Sequence, residues 1–494
     1  MKRRDFLVAS AATGVALRSA RATMVPRKIK VTLPQAHKGT LEVDTNLLDS
    51  YGPPPENTRE FYFAARKAFS SDKLLNFDSA RIVQLAKRHS IDLMGGPLLG
   101  NLKSDGVTIW MRPTITKGMQ IRVAGTSYPV KCQSGQESRT RISGLSPDTS
   151  YKYAVIQGRR VIAQGSFRTA PKDEHQGELR IAFGSCFHKI GVHNPNLFRE
   201  ILGREPAAMM LLGDLAVDDR NSNIAMHRSD YQLRDSSPAW QQLASHLPLY
   251  TAWDDHDYFD NDLNGIPKGF IASDRDALRK VWKQNWNNPQ ATEDREGIYF
   301  NARIGPAEIM MLDTRSCRDN KRRRKFGSYL GDQQLDWLLE TLSNSTAPFK
   351  IISSGTMWSD YVSNAKDSWG SWDVEAREKI FSHIEDHNIA GVLLVSGDRH
   401  GARAFRIPRP SGFAFHEFEP ATLGGVTGPA AWVDDCPEQI FGYGRDELIA
   451  FGEFTFDTST EDATVTFRLI KETGEILEEH RRSYDQLTPQ HSAK

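Results

Sequence analysis

The sequence predicts an α/β domain over residues 178–485 behind a smaller β-sandwich over residues 95–171. Three observations carry this. From residue 179 onward, short apolar runs alternate with helix-like segments, the pattern of strands buried on both faces. Between residues 96 and 170, apolar and polar residues alternate with period two in short stretches separated by turn clusters. The chain has 494 residues, 39% hydrophobic and 25% charged, which suits a multi-domain globular protein and excludes a disordered one.

The N-terminus is set apart. Lys2, Arg3 and Arg4 precede Asp5-Phe6-Leu7, a mildly apolar stretch runs from Phe6 to Leu17, and Ala20-Arg21-Ala22 places small residues where a signal peptidase reads. Residues 1–22 therefore read as a twin-arginine signal peptide. The other reading, a membrane anchor, needs about 20 apolar residues and finds fewer. The 63 basic and 62 acidic residues give a net charge of +1. Cleavage after Ala22 removes five basic residues and one acidic residue, leaving −3. That balance calls for no nucleic-acid partner. The expected product is exported by the twin-arginine machinery, periplasmic or extracellular, with no stable transmembrane anchor.

Residues 23–94 form an N-terminal extension that is partly helical. Its first part, 23–55, is polar and Pro-rich and reads as an irregular leader. Phe61, Ala65 and Ala68, then Ile82, Val83 and Ala86, recur at helical spacing. In the sandwich, Val107–Arg112, Gln120–Val123 and Tyr151–Ile156 are the alternating strands. In the α/β domain, the buried strands are Leu179–Phe183, Ala208–Leu212, Glu308–Leu312, Phe349–Ile352 and Gly391–Val395, with Leu249–Ala252 a weaker sixth. Asp332–Leu342 and Val374–Asp386 read as helices. Four scattered cysteines, Cys132, Cys186, Cys317 and Cys436, are too few for a disulfide scaffold.

Five of these six runs are followed by residues that bind metals or anions: Cys186, Asp214, Asp254-Asp255-His256-Asp257, Asp313-Thr314-Arg315 and Asp398-Arg399-His400. The carboxyl ends of strands are where α/β sheets place their sites. Carboxylates suit hard cations, while imidazole and thiolate suit softer transition metals, so the mixture predicts two unlike metals. Asp214, Asp255, Asp398, His400 and Cys186 are the candidate ligands, and His256 is the candidate catalytic histidine. Asp254 and Asn261 are second choices. Other roles compete: a turn or helix cap for Asp214, an inert thiol or a nucleophile for Cys186, and a surface position for His400. Arg315 is a candidate phosphate clamp, or else the partner of a nearby acid. The basic run Lys321–Lys325 is a solvated loop or a lip attracting anions.

Taken together, the motifs resemble the PhoD-like alkaline phosphatases within the metallophosphoesterases. The blocks occur in order: Phe183-Gly-Ser-Cys186, Leu212-Gly-Asp214, Trp253-Asp-Asp-His-Asp257, Leu312-Asp-Thr-Arg315, Leu330-Gly-Asp-Gln-Gln-Leu-Asp-Trp-Leu338, Asp367-Ser-Trp369 with Glu375-Ala-Arg377, and Ser396-Gly-Asp-Arg-His400. Gly96–Leu102 with Val107–Arg112 resembles the family's N-terminal sandwich, and Gly144–Tyr153 is similar to a fibronectin type III segment. The resemblance runs from about Gly96 to the C-terminus. It implies an αββα sandwich, two packed mixed sheets flanked by helices, behind a fibronectin-III-like domain. It also implies hydrolysis of phosphomonoesters or phosphodiesters, soluble or lipid, by attack of a metal-bridging hydroxide, as an alkaline phosphatase or phosphodiesterase does. The implied cofactors are two or more metal ions, iron plus calcium, with zinc, manganese and magnesium as alternatives. Cys186 would bind iron, Asp214 would bridge, and Asp255, Asp398 and His400 would complete the shell beside His256. One position departs. The family often has Gly-Asp-x-x-Tyr, the Tyr binding iron, but here Val217 ends the segment. Asp218 or Asp219 would then substitute, or another metal is preferred, or catalysis is impaired and the protein serves as an exported binding or cell-surface protein.

Overall fold

The computed structural model describes residues 31–290, 295–360, 367–420, 422–444 and 448–490. The signal-peptide reading of residues 1–22 lies outside the described residues. Four helices open the described chain: α1 (Leu33–Lys38), α2 (Leu41–Leu48), α3 (Glu56–Ser71) and α4 (Ala80–Arg88). The reading of 23–55 as irregular is corrected over Leu33–Lys38 and Leu41–Leu48, which are helical; residues 23–30 lie outside the described residues. Thr40 caps α2 by accepting from the Val43 amide at 3.3 Å, and Gly39, at φ 49°, separates α1 from α2. These helices are too short to show a periodic stripe. They hold because Ala36, Val43, Leu47 and Leu48 pack on Tyr62, Ile190 and Leu233. Phe61, Ala65 and Phe69 of α3 meet Ile82, Val83 and Ala86 of α4 in a second cluster.

Two antiparallel sheets follow, built from β1 (Leu93–Lys103), β2 (Gly106–Pro113), β3 (Met119–Val123), β4 (Thr126–Pro129), β5 (Ser138–Ile142), β6 (Ser150–Gln157) and β7 (Arg160–Arg168). One has the order β1-β2-β5, the other β4-β3-β6-β7. Leu99, Ile109 and Ile142 of the first share a core with Ile121, Val155 and Phe167 of the second. On the outer side, Leu98 and Trp110 pack against Trp240 and Trp286 of the larger domain.

That domain holds β8 (Glu178–Gly184), β9 (Ala208–Leu211), β10 (Leu249–Thr251), β11 (Phe300–Ile304), β12 (Ala307–Met311), β13 (Phe349–Ser353), β14 (Val392–Val395), β15 (Ala402–Pro408), β16 (Ala414–Pro420), β17 (Gln439–Tyr443), β18 (Ala450–Asp457), β19 (Thr464–Lys471) and β20 (Ile476–Ser483). They form a six-stranded sheet, β10-β9-β8-β18-β19-β20, and a seven-stranded sheet, β11-β12-β13-β14-β16-β15-β17. Both are mixed: β8, β9 and β10 run parallel and β18 opposes them, while β12, β13, β14 and β16 run parallel between antiparallel neighbours. Alternation along each strand sorts the side chains. Ile181, Phe183, Ile309 and Ile351 point into the layer between the sheets, where Phe418 stacks on Phe467 at 4.3 Å and Phe183 on Phe454 at 4.8 Å. Each such aromatic contributes about 1.5–3 kcal/mol by burial. Ala182, Met209 and Leu211 point the other way, under helices Pro195–Gly203 and Pro238–Ala244. Met310, Ile352 and Leu394 lie under helices Asp332–Asn344 and Val374–Asp386. The layers are thus helix, sheet, sheet, helix.

The six apolar runs are β8, β9, β10, β12, β13 and β14. The sequence reading has no counterpart of β15 to β20. Buried acids interrupt the apolar pattern there. Glu453 is fully buried and held by Arg204 at 2.6 Å; Glu419 pairs with Arg403; Glu417 accepts from the Trp358 and Ser359 amides, each at 2.8 Å.

Candidate metal centre

The loops after β8, β9, β10, β12 and β14 converge at one end of the facing sheets. Backbone bonds lock the first two together: the Cys186 amide donates to Gly213 O at 3.0 Å, and the His188 amide to Asp214 O at 2.8 Å. Gly213, at φ 117°, lets the third loop approach; a Cβ there would lie 2.5 Å from Asp254 Cβ. Cys186, His188, Asp214, Asp398 and His400 all adopt positive φ, between 43° and 72°. Non-glycine residues rarely do so, and such strain gathers at functional sites.

Four overlapping groups result among the described residues, two of four residues and two of three, His37-His188-His256 and Asp214-Asp255-His256. Cys186, His188, Asp214 and His400 bring one ligand atom each within 4.8 Å of one another. Asp214, Asp254, Asp255 and Asp398 do the same, so Asp214 belongs to both. Cys186 Sγ lies 3.6 Å from Asp214 Oδ2. Asp214 Oδ1, Asp254 Oδ2 and Asp398 Oδ2 are buried with no hydrogen-bond partner.

Electrostatics follow from this crowding. Burial, reinforced by Asp255, pushes the Asp214 carboxyl well above the carboxylate range, and burial with Asp367 and Asp254 does the same to Asp398. Burial and then Asp214 push the Cys186 thiol up. Burial raises Asp255 too, but Arg315 and His256 outweigh it and hold that carboxyl below the carboxylate range. Cations bound among these atoms would reverse the upward shifts and take up the orphan oxygens. The first donor set is soft and the second hard, so the residues fit two unlike metals.

The histidines have separate surroundings. Asp218 Oδ1 lies 3.0 Å from His188 Nδ1, and His188 Nε2 faces His400 Nε2 at 3.3 Å. Burial, with His188 and His256, pushes His400 down to about 3, so it is neutral, the form that binds a metal. Asp219 Oδ1 lies 2.6 Å from His256 Nδ1. Burial would lower His256, but Asp255 and Asp214 outweigh it and hold the imidazole well above its usual value. A third ring, His37 of α1, lies 4.3 Å from His256.

Every residue proposed from the sequence as a ligand is in one of the two four-residue groups, and Asp254, a second choice, joins them. Asn261 does not; its side chain donates to Asp262 Oδ2 at 3.1 Å on the exposed side of the loop. Val217 is fully buried among Leu215, Ala216 and their apolar neighbours. Asp218 and Asp219 orient histidines. Arg315 is fully buried, its Nε bound to Asp254 and its Nη1 to Asp367 at 3.0 Å, so its geometry is that of an acid's partner. Only Nη2, 3.6 Å from both Asp255 and Asp398, makes no hydrogen bond. The run Lys321–Lys325 is exposed, with Arg323 over the Trp372 ring at 4.7 Å. The four cysteines are unpaired.

Two helix-flanked mixed sheets with such a centre at the strand ends define a metallophosphatase-type fold. Solved structures share it: "Structure of PhoD", 18% identical, TM-score 0.62, covering 80% of this chain and 91% of that one, and purple acid phosphatase PPD1 from yellow lupin (Lupinus luteus) seeds, 13% identical, TM-score 0.56, covering 79% and 75%. No curated protein matches the chain. Residues 198–432 match the model of the PhoD-like phosphatase family. Cys186 and His188 lie ahead of the matched stretch.

Proposed function

We propose that the protein is an exported phosphoesterase hydrolysing phosphomonoesters, phosphodiesters or both, with iron in the Cys186-His188-Asp214-His400 group and calcium in the Asp214-Asp254-Asp255-Asp398 group. The observation that carries this is a soft and a hard donor set sharing one buried carboxylate, Asp214. Two cations there would supply charge to bind the ester and an activated water. The chain does the rest. Arg315, fixed by Asp254 and Asp367, supplies a permanent positive charge beside the acids. His256 has Nδ1 engaged by Asp219, which leaves Nε2 to give a proton to the departing oxygen. The twin-arginine signature supports export, and no described helix is long and apolar enough to cross a membrane.

The test is hydrolysis of p-nitrophenyl phosphate and bis-p-nitrophenyl phosphate by the mature protein folded with iron and calcium. Turnover abolished by chelator, and reduced about 100-fold or more in Asp214→Asn, is expected. No turnover of either ester by folded, metal-loaded protein would turn the reading to an exported binding protein.

A further inference from the structure

The N-terminal extension reaches the centre. His37 stands on α1, outside every motif that resembles the phosphatases. Its Nδ1 lies 3.2 Å from Asp219 Oδ2, while the other oxygen of that carboxylate lies 2.6 Å from His256 Nδ1. One aspartate thus faces both histidines, hydrogen-bonded to His256 and in charge-pair contact with His37. The His37 ring also lies against that of His256, tilted, with centroids 4.3 Å apart and planes inclined by 32°.

The placement is built in. Asp44 of α2 is fully buried, accepts from Tyr62 Oη at 3.0 Å and Arg66 Nε at 2.6 Å, and lies 3.5 Å from Lys189 Nζ. Lys189 follows His188, and its ammonium lies 2.8 Å from Asp230, which also takes a two-bond grip from Arg220, the residue after Asp219. Arg66 Nη2 donates to Gly39 O at 2.6 Å, and a Cβ on Gly39 would meet Arg220 Nη2 at 2.2 Å. The end of α1 is therefore tied to the residues next to His188 and Asp219. Ion pairs this deep are costly to break from one side.

We propose that His37 is a positioning residue for His256, so that the N-terminal helices are a wall of the active site. The proposal rests on the phosphoesterase reading. Through the shared carboxylate His37 fixes the Asp219 rotamer, and by lying against the His256 ring it keeps water off that side. Its loss weakens the step His256 serves, not ester binding and not metal binding.

The experiment uses the full mature chain, metal-loaded, with p-nitrophenyl phosphate and phenyl phosphate. His37→Ala is expected to lower kcat about tenfold, with KM within about twofold and metal content unchanged. The loss should be larger on phenyl phosphate, whose leaving oxygen needs the proton more. His37→Asn, which retains an N–H for Asp219, should restore most of the rate. In a His256→Ala background, His37→Ala should cost less than about twofold, because its effect runs through that ring. If His37→Ala does not fold, His37→Phe carries the test: it keeps a ring against His256, removes the donor and should lose rate likewise. Unchanged kcat, a full loss persisting in the His256→Ala background, or loss of metal alongside rate would each overturn the proposal while wild-type turnover stands. Absence of chelator-sensitive turnover in the wild type would overturn the phosphoesterase reading and this one together.

Discussion

His188 shows how much one side chain decides. Its Nδ1 is held by Asp218, so the lone pair of Nε2 meets Nε2 of His400 at 3.3 Å. Two imidazole nitrogens tolerate that approach when a proton or a cation lies between them, and an anchoring carboxylate is the usual companion of a metal-binding histidine. His188→Ala should therefore lose about one equivalent of bound metal, and Asp218→Asn should weaken that metal about 10–100-fold, both read by elemental analysis and chelator competition. Retention of full metal by His188→Ala would remove it from the ligand set. The residue was within reach of the sequence: it follows Cys186 at i+2, the spacing that ties His400 to Asp398. His37 was not, because no motif surrounds it and the fold alone carries α1 to the centre. The Val217 departure is also clearer in three dimensions, where that side chain is core and the acids after it hold histidines.

Among the elements, the strand-to-loop corners carry the precision. Gly213 is required at φ 117° because a Cβ would sit 2.8 Å from the Asp254 amide nitrogen and 2.5 Å from its Cβ. Gly213→Ala should separate the loops after β9 and β10. It is expected to cost about 1–3 kcal/mol of stability and to lower metal affinity with it, measured by denaturant titration and metal binding. Parallel strands such as β8, β9 and β12–β14 were visible as runs because burial on both faces demands apolar residues throughout. The strands β16 and β18 were hidden by paired acids inside them, and β20 by its polar sequence at the sheet edge. Helices α1 and α2 depend on packing partners far along the chain, which no local pattern records.

At the scale of the molecule, three buried histidines outside the centre set an acid limit. Burial pushes His193 and His227 down to about 4 and His416 to about 3. In the unfolded chain they titrate near 6.5. Between those values the unfolded chain holds the protons and the folded chain does not, so the stability these three histidines contribute is complete above pH ~6.5 and declines as pH falls toward 4. By the low end each has lost on the order of 3 kcal/mol. Melting temperatures should fall steadily from pH 7 to pH 4.5, and His227→Gln should flatten that slope; a midpoint independent of pH would contradict the assignment. The topology has a further consequence for the order of events in the cell. Strand β8, which leads into Cys186, takes its antiparallel partner from β18, so that Phe183 pairs with Gly452 and Ile181 with Phe454. Until a ribosome has made residues 450–457, β8 has one open edge and the layer between the sheets lacks Phe454 and Phe467. The centre is thus completed only after β18 has been made, about 270 residues after Cys186, and a nascent chain cannot hold its metals in final form before that strand is free to join.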